Sequence, residues 1–398
     1  KYFPRYGWEP IILTVKHPGI PPDHIRIINT DYMDILKKVK QKTGFNPDTT
    51  IHKQVGVKIT KNFKYSTWKS KTIKLLREIV TFPDEQKGWY KFALKSASEF
   101  LNRERVHAII STSFPVTSHL IARKLKQRYN IPWVADFRDL WWQNPYHKRS
   151  SLIKHFDKWL ELRTLNDADV IVTVTQPWID TLKQLHINKK ILCITNGFDN
   201  EDYPQVPSRL NSKFTLTYTG TLHDGKRDPL LLFKVVEQLI NENKIIRDLI
   251  EIRFFVPQND WLIDDIRECN LEGVVNIYGF IPREEVIERQ RESQILLLLL
   301  WDNRSEEGFC PGKVYEYLGA RRPVIAVGGR KHIVKDILET TDAGKYAWNS
   351  NTLRNVLLKY YLEFVEKGKI KCHSNEYIEN YNYNLLTRKY SEVLDGLV

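Results

Sequence analysis

The stretch Pro311–Val327, PGKVYEYLGARRPVIAV, decides the fold class of this chain. Its first part has the pattern of a helix that opens after a loop, and its last part, Val324–Val327, is a short apolar run. A second continuous apolar run, Ile295–Leu300, precedes the helix. Such runs are typical of parallel strands that are buried on both faces. The order strand, helix, strand therefore predicts a βαβ unit and an α/β fold.

Apolar runs and amphipathic segments alternate in the same way along most of the chain. The predicted strands are Ile11–Val15, Val106–Ser111, Trp133–Asp136, Val170–Val174, Ile191–Thr195, Phe214–Tyr218, Ile250–Val256, Val274–Tyr278, Ile295–Leu300 and Val324–Val327. The predicted helices include Ser118–Tyr129, Leu152–Leu165, Asp228–Asn241, Arg283–Arg291 and Glu376–Leu397. A polar segment with two prolines, Asn200–Ser212, is typical of a linker between the halves. We therefore predict two doubly wound, Rossmann-like domains that face each other across a cleft, with ligands at the carboxyl ends of the strands.

Positive charge is divided unevenly between the halves. The 398 residues carry a net charge of +13, and residues 1–200 hold 34 Lys and Arg against 18 Asp and Glu. The remaining residues hold 27 against 30. With 42% hydrophobic and 27% charged residues the chain is not of the disordered class. The asymmetry indicates nucleic acid, an anionic membrane or a phosphorylated ligand, without choosing among them.

The densest basic segment is 36–77, where lysines alternate with aromatic residues. Its members are Lys37, Lys38, Lys40, Lys42, Lys53, Lys58, Lys61, Lys64, Lys69, Lys71, Lys74 and Arg77, with Phe45, Phe63, Tyr65 and Trp68 among them. Such a segment suits a bilayer surface, where each basic residue adds about 1 kcal/mol near anionic lipid. Nucleic acid uses the same composition, and a solvated insertion is the alternative without a ligand.

Global features limit the remaining function classes. The four cysteines, at positions 193, 269, 310 and 372, lack the spacing of a zinc site or a disulfide framework, as is typical of a reducing compartment. The longest apolar run is Ile295–Leu300, whereas a spanning helix needs about 20 residues. We expect a cytoplasmic protein that uses neither a metal ion nor a cofactor.

Two loops in the second half have the features of a diphosphate site. Gly220 ends a predicted strand and allows close approach of a ligand, and Lys226 precedes a helix that begins at about Asp228–Pro229. Helix N-termini attract phosphate groups. The alternative is an ordinary surface lysine.

The helix at Gly312 has a second basic residue, Lys313, in its first turn. Glu316 lies three residues further on the same face, where its carboxylate can accept two hydroxyl hydrogen bonds from a ribose. A Lys–Glu surface pair is the alternative. In the first half, Arg138 and Asp139 follow a predicted strand, and they either contact a phosphate or sugar hydroxyls or form a structural ion pair.

Taken in order, several motifs resemble the retaining glycosyltransferases of family four, which have the GT-B fold. They are IISTSFPVTSHLIA (109–122), IPWVADFRDLWW (131–142), NDADVIVTVT (166–175), ITNGFD (194–199), TYTGTL (217–222), IYGFIP (277–282) and the opening stretch. The resemblance spans almost the whole chain. It is closest to enzymes of surface polysaccharide and lipopolysaccharide assembly.

The resemblance implies transfer of a hexose from a nucleotide-diphosphate sugar, with retention of configuration, to a glycan or lipid-linked acceptor. It assigns donor contacts to residues of the second half: Gly220, Thr221, Lys226, Phe280, Ile281, Gly312, Lys313 and Glu316. Phe280 and Ile281 correspond to backbone positions that hold the base, and Glu316 to the glutamate that binds the ribose. It assigns catalytic or acceptor contacts to Arg138, Asp139 and Glu307.

Three positions depart from the family pattern. Thr221 stands where the family often has arginine, Arg138 where many members have histidine, and Gly308 where the first glutamate is usual. Either Glu307 replaces that glutamate or backbone amides of the loop do. The family also begins with a strand and a glycine-rich loop, which we expect to be missing because Lys1–Tyr6 resembles the end of the helix that follows them.

The resulting domain assignment is an acceptor-side domain at 1–204, a nucleotide-sugar domain at 205–375 and a C-terminal helix at 376–398 that crosses back to the first domain. The expected partners are a nucleotide sugar, a glycan or lipid-linked acceptor and, through the basic first domain, the inner face of the cell membrane. A non-catalytic GT-B nucleotide-binding or scaffold protein and a sugar-nucleotide epimerase are the alternatives, and nucleic-acid binding ranks below them.

Overall fold

The computed structural model describes residues 1–16, 25–42, 68–144, 149–204, 206, 208–223, 225–371 and 375–398. The chain divides into two compact units, of which unit 1 is Lys1–Ile194 with Thr387–Val398, and unit 2 is Thr195–Leu386. These limits differ from the sequence-based boundaries at 204/205 and 375/376. They differ because the segment around Phe198 pairs with the segment around Tyr381. The amide of Phe198 donates to the carbonyl of Tyr381 at 3.0 Å.

Unit 1 contains two parallel sheets. Strands β1 (Ile11–Val15) and β2 (Arg26–Thr30) form the smaller one, and the larger has the order β3 (Ile109–Ser113), β4 (Trp133–Phe137), β5 (Val170–Thr173) and β6 (Lys190–Cys193). Its described helices are α1 (Ile35–Lys42), α2 (Trp68–Thr81), α3 (Tyr90–Leu101), α4 (Thr117–Tyr129), α5 (Ser151–Leu165) and α6 (Gln176–Lys183). Of the basic segment 36–77, residues 43–67 lie outside the described residues.

Unit 2 contains one six-stranded parallel sheet with the order β12, β11, β10, β7, β8, β9. The strands are β7 (Phe214–Thr219), β8 (Ile250–Phe255), β9 (Val275–Ile277), β10 (Ile295–Leu299), β11 (Val324–Val327) and β12 (Gly344–Ala347). The helices are α7 (Leu230–Asn241), α8 (Asp260–Glu268), α9 (Arg283–Arg291), α10 (Gly312–Ala320), α11 (Ile333–Thr341), α12 (Ser350–Lys367), α13 (Glu376–Glu379) and α14 (Tyr383–Asp395). Helix α14 contributes residues to both units.

Strand β10 explains why the apolar run was continuous. Leu296 and Leu298 pack into one core of unit 2, whereas Ile295, Leu297 and Leu299 pack into the other. All five side chains are at most 1% exposed. The central strand is therefore buried on both faces, as the predicted doubly wound fold requires.

Two differences from the sequence-based elements have local causes. Strand β12 was not predicted because its sequence, GKYA, carries no apolar run. It pairs with β11 through Gly344, where a Cβ atom would lie 2.0 Å from the carbonyl oxygen of Val324. The predicted helix Glu376–Leu397 is two helices, because the amide of Tyr383 donates to the carbonyl of Phe198 at 2.9 Å where α14 begins. Helix α14 nevertheless returns the chain to unit 1.

Candidate functional site

Gly220 and Lys313 lie together at the carboxyl edge of the unit 2 sheet. Gly220 follows β7 with φ at 110°, in the region that favours glycine, and its amide donates to the carbonyl of Phe255 at 3.0 Å. A Cβ atom at this position would lie 2.8 Å from Nζ of Lys313, which belongs to the first turn of α10. The missing side chain therefore provides the space that the lysine amine occupies.

The amine of Lys313 is held in a largely apolar setting. Its Nζ lies 3.8 Å from the ring centroid of Tyr218, whose hydroxyl donates to the carbonyl of Thr221 at 2.7 Å. Burial lowers the pKa of Lys313 to about 7, the Glu316 carboxylate opposes that shift, and Arg227 adds to it. The amine is thus partly neutral near pH 7, and an anion bound beside it would restore its charge.

Further cations converge on the loop that follows β7. Burial lowers the pKa of His223, and the charges of Arg227, Lys313 and Lys226 lower it further. The exposed Thr221 places its hydroxyl 3.1 Å from Nε2 of His223. Three positive side chains at one edge form a setting suited to a diphosphate.

The helix after this loop, α7, begins at Leu230, two residues later than the sequence predicts. Pro229 is its N-cap, and Oδ1 of Asp228 accepts a hydrogen bond from the amide of Leu230 at 2.8 Å. The carboxylate of Asp228 thus accepts a hydrogen bond from one of the amides that have no partner within the helix. This helix end is therefore less available to an anion than the cationic side chains of the preceding loop.

Sequence reasoning missed Trp301 and the partner of Arg227. Nζ of Lys226 lies 4.6 Å from the ring centroid of Trp301, which lies two residues after the end of β10. Nη2 of Arg227 donates to Oε2 of Glu306 at 3.0 Å, and Glu306 is 0% exposed. The position of Trp301 after a buried strand, at the same edge as Gly220, was the available signal.

Glu307, the predicted replacement for the first family glutamate, lies next to that ion pair. It is half-buried after the 3-10 turn Arg304–Glu306, and its carbonyl accepts from the amide of Ile333 at 3.1 Å. The neighbouring Glu306 points to Arg227. The loop is therefore fixed on both sides of Glu307, whose role stays a prediction.

Glu316 lies on the exposed side of α10. Its Oε1 is 3.9 Å from Nη1 of Arg283, a residue that the sequence analysis did not select, and its carbonyl accepts a hydrogen bond from the hydroxyl of Tyr203 at 2.9 Å. A Cβ atom on Gly312, at the start of α10, would meet open space. The first turn of this helix is therefore accessible to a ligand.

The loop after β9 carries the two residues predicted to hold the base. Phe280 is 85% exposed and Ile281 is half-buried, and Gly279 before them has φ at 79°. The ring of Tyr278 stacks on Phe255 with centroids 5.0 Å apart. Because β9, β8 and β7 are parallel neighbours, this loop lies at the same sheet edge as Gly220.

In unit 1, Arg138 forms an ion pair with Asp136 rather than with Asp139. Its Nε donates to Oδ2 of Asp136 at 2.8 Å, and its guanidinium also bonds the hydroxyl of Tyr390, which in turn donates to Oδ1 of Asp136 at 2.8 Å. Burial disfavours the charge of Arg138, but Asp136 and Tyr390 outweigh it and raise the pKa of the guanidinium. Arg138 therefore has a structural role whatever else it contacts.

Asp139 is a different kind of residue, because burial raises the pKa of its carboxyl to about 6. Its carbonyl accepts a hydrogen bond from the hydroxyl of Ser113 at 3.2 Å, at the carboxyl end of β3. A carboxyl group that titrates near neutral pH at the end of a central strand is suited to accept or donate a proton.

His119 is part of the interior of unit 1. It is 0% exposed, stacks on Phe137 with centroids 4.7 Å apart, and its Nδ1 lies 2.7 Å from Oγ of Ser111. Burial lowers the pKa of His119 to about 3, so its imidazole is neutral at physiological pH.

No group of three His, Cys, Asp or Glu side chains in the described ranges is placed to hold a metal ion. None of the described helices has both the length and the apolar character needed to cross a bilayer.

Comparisons with known proteins bear on the family and the fold of this chain. The family model described as Glycosyltransferase Family 4 matches residues 60–202. No curated protein gives a significant match. Sucrose-phosphate synthase from Thermosynechococcus elongatus matches with a TM-score of 0.61 and 14% identity, covering 100% of this chain and 90% of that one. Anabaena HepE in complex with UDP matches with a TM-score of 0.58 and 14% identity, covering 76% and 82%.

The fold of this chain is the GT-B fold, as predicted from the sequence. The same Anabaena protein in complex with UDP and glucose matches with a TM-score of 0.57 and 13% identity, over 83% of this chain and 90% of that one. The match of the family model to residues 60–202 confirms the predicted resemblance to the family-four glycosyltransferases over that part of the chain.

Proposed function

We propose that this protein is a retaining glycosyltransferase that takes a hexose from a nucleotide-diphosphate sugar. The observation that carries the proposal is the placement of Lys313 over Gly220, with Lys226 and Arg227 in the adjacent loop. A solved structure with the same fold contains UDP and glucose. Positive charge at this edge would stabilise the diphosphate as it leaves the sugar, which is the principal demand of such a transfer.

The remaining contacts follow from where the side chains lie. Glu316 would accept hydrogen bonds from the ribose hydroxyls, and the loop of Phe280 and Ile281 would hold the base. In unit 1, Asp139 would bind an acceptor hydroxyl. In this proposal the departing diphosphate takes the acceptor proton, and the acceptor attacks the face from which the diphosphate leaves.

Titration with UDP followed by turnover assays tests the proposal. UDP binding by the wild type and its weakening at least tenfold in Lys313→Met and Glu316→Ala would support a donor site at this edge. Release of UDP from UDP-sugars in the presence of lipid or glycan acceptors would support transfer. Binding without turnover would favour the non-catalytic alternative, and absence of binding for all nucleotide diphosphates would refute both.

We further propose that the acceptor is a lipid-linked glycan of surface polysaccharide assembly, reached at the cytoplasmic face of an anionic membrane. An exposed stripe on α5 supports this. Leu152, Phe156 and Trp159 are 58%, 52% and 53% exposed, and their spacing puts them on one helix face. Lys154 and Arg163 are exposed on the same helix. Apolar side chains flanked by cations are the composition of interfacial helices.

A further inference from the structure

A cavity of about 730 Å³ lies in unit 2, and Tyr203, whose hydroxyl donates to the carbonyl of Glu316, is one of its lining residues. Two of its lining residues fix its place in the fold, because Arg322 lies two residues before the start of β11 and Arg291 ends α9 before β10. All strands of this sheet are parallel. The cavity therefore lies at the amino edge of the sheet, whereas Gly220 lies at the carboxyl edge.

The lining of the cavity is strongly basic. Its charged members are Arg291, Arg321, Arg322, Lys369, Lys371 and Glu379. Residues 201–398 as a whole hold fewer basic than acidic residues, 27 against 30. Five cations against one carboxylate are therefore a local concentration and not a sample of the surrounding charge.

Arg322 gives the cavity a fixed positive group. It is 6% exposed, its Nε donates to the carbonyl of Ser293 at 2.7 Å, and its Nη2 donates to the carbonyls of Gln294 and Ile370 at 2.9 and 3.0 Å. These three carbonyls set the orientation of the guanidinium. The buried guanidinium thus adds a positive charge of fixed position to the wall of the cavity.

The rest of the wall is suited to a carbon skeleton. Tyr203, Leu210 and Ile370 line it together with the small residues Gly319 and Ala320. Sites for small molecules commonly have volumes of about 300–1,000 Å³, so the cavity has room for more than an inorganic phosphate ion.

We propose that this cavity binds a small molecule that carries a phosphate group on a sugar-sized or larger skeleton. The phosphate would lie among Arg291, Lys369 and Lys371, and the skeleton against Tyr203 and Leu210. The same chemistry occurs in a soluble sugar phosphate and in a phosphorylated lipid headgroup. Such a site would exist whether or not the carboxyl edge binds a nucleotide sugar.

The competing explanation is that the cations serve only the helices. Helices α9 and α10 end at this edge, and positive side chains stabilise helix C-termini. That role predicts a loss of thermal stability when the cations are removed, and no response to any phosphorylated compound.

The experiment compares the double variant Lys369→Ala/Lys371→Ala with the charge-matched control Lys244→Ala/Lys359→Ala, whose lysines are exposed elsewhere in unit 2. Calorimetric titration uses glucose 6-phosphate, with glucose and inorganic phosphate as comparators, and saturating UDP is present throughout. We expect glucose 6-phosphate to bind more tightly than either comparator, and the double variant to weaken it about tenfold while the control changes little.

A second arm measures sedimentation with phosphatidylcholine vesicles that contain phosphatidic acid. Binding in this arm that is lost in the double variant, without binding of glucose 6-phosphate, would assign the phosphate to a lipid headgroup. No binding in either arm, equal binding of glucose and glucose 6-phosphate, or equal losses in the double variant and the control would overturn the proposal.

Discussion

Nζ of Lys313 lies where a Cβ atom on Gly220 would be only 2.8 Å away from it. The same amine lies 3.8 Å from the ring centroid of Tyr218. The lysine amine of α10 thus lies beside an aromatic ring and a glycine from the end of β7. The arrangement lowers the pKa of the amine through burial while leaving it next to the accessible first turn of α10.

Binding of UDP should weaken as the pH rises from 7 to 9. The pKa of Lys313 is about 7 without a ligand, and a bound diphosphate raises it, so the complex holds more protons than the free protein. Affinity is therefore highest below pH 7 and falls above it. The window avoids the ionisation of the terminal phosphate near pH 6. Calorimetry in two buffers with different ionisation enthalpies should record proton uptake, and Lys313→Arg should flatten the profile. An unchanged slope in Lys313→Met would contradict this assignment.

Replacement Gly220→Ala should weaken UDP binding at least tenfold, because the new Cβ displaces the Lys313 amine and φ at 110° strains the backbone. Gly273→Ala is the matched control. It has φ at 78°, so it suffers similar backbone strain, but its Cβ would meet no atom within 4 Å. Similar losses of UDP affinity in both variants would show that strain, and not the displaced amine, is responsible.

Replacement Asp139→Asn should stabilise the protein at pH 7.5 and lower turnover about tenfold, because a neutral amide replaces the carboxylate that would accept a hydrogen bond from the acceptor hydroxyl. The pKa of about 6 in the folded state exceeds the ordinary value of 3.8 for an aspartate, so the ionised carboxylate disfavours the folded state. Stability linked to Asp139 is fully present below pH 3.8 and is lost as the pH rises through 6. The gain in melting temperature should therefore vanish near pH 4. Asp180→Asn, at an exposed site of unit 1, should change neither quantity; a gain that persists at pH 4 would refute the assignment.

Replacement Arg138→Ala should lower the free energy of unfolding by about 3 kcal/mol, since it leaves the buried Asp136 carboxylate without its ion-pair partner. Urea denaturation measures this loss. Arg103→Ala, at an exposed arginine of the same unit, should change the value by less than about 0.5 kcal/mol. A stable Arg138→Ala protein without transfer activity would instead show that the guanidinium acts on the substrate.

The triple variant Leu152→Ser/Phe156→Ser/Trp159→Ser should reduce sedimentation with anionic vesicles several-fold and leave UDP affinity unchanged. Burial of these side chains in the interface stabilises the bound state by roughly 25 cal/mol per Å² of apolar surface. The control is Leu362→Ser/Val365→Ser on α12, where two apolar residues are 64% and 55% exposed. Equal loss in the control, or equal wild-type binding to neutral and anionic vesicles, would exclude specific docking through α5.

The sequence predicted the parts of the fold that local pattern determines. Continuous apolar runs such as Ile295–Leu299 and the loop-to-helix transition at Gly312 are visible from residue type alone. The partners of individual side chains could not be predicted in this way, because they depend on contacts between distant segments. The sequence analysis selects Glu307 and not Glu306, because only the folded loop shows which of the two carboxylates faces Arg227. The alternative interpretation of Arg138 pairs it with the adjacent Asp139, whereas alternation along a strand favours Asp136, two residues away.

Helix α14 also affects the order in which the two units can fold during synthesis. The hydroxyl of Tyr390 completes the network of Asp136 and Arg138 from a position 254 residues later in the chain, and Asp395 receives a hydrogen bond from the indole of Trp8 at 2.8 Å. Domains generally begin to fold during translation, N-terminal part first. Here unit 1 needs residues that follow unit 2 in the chain, so unit 2 emerges from the ribosome and can fold before unit 1 is complete.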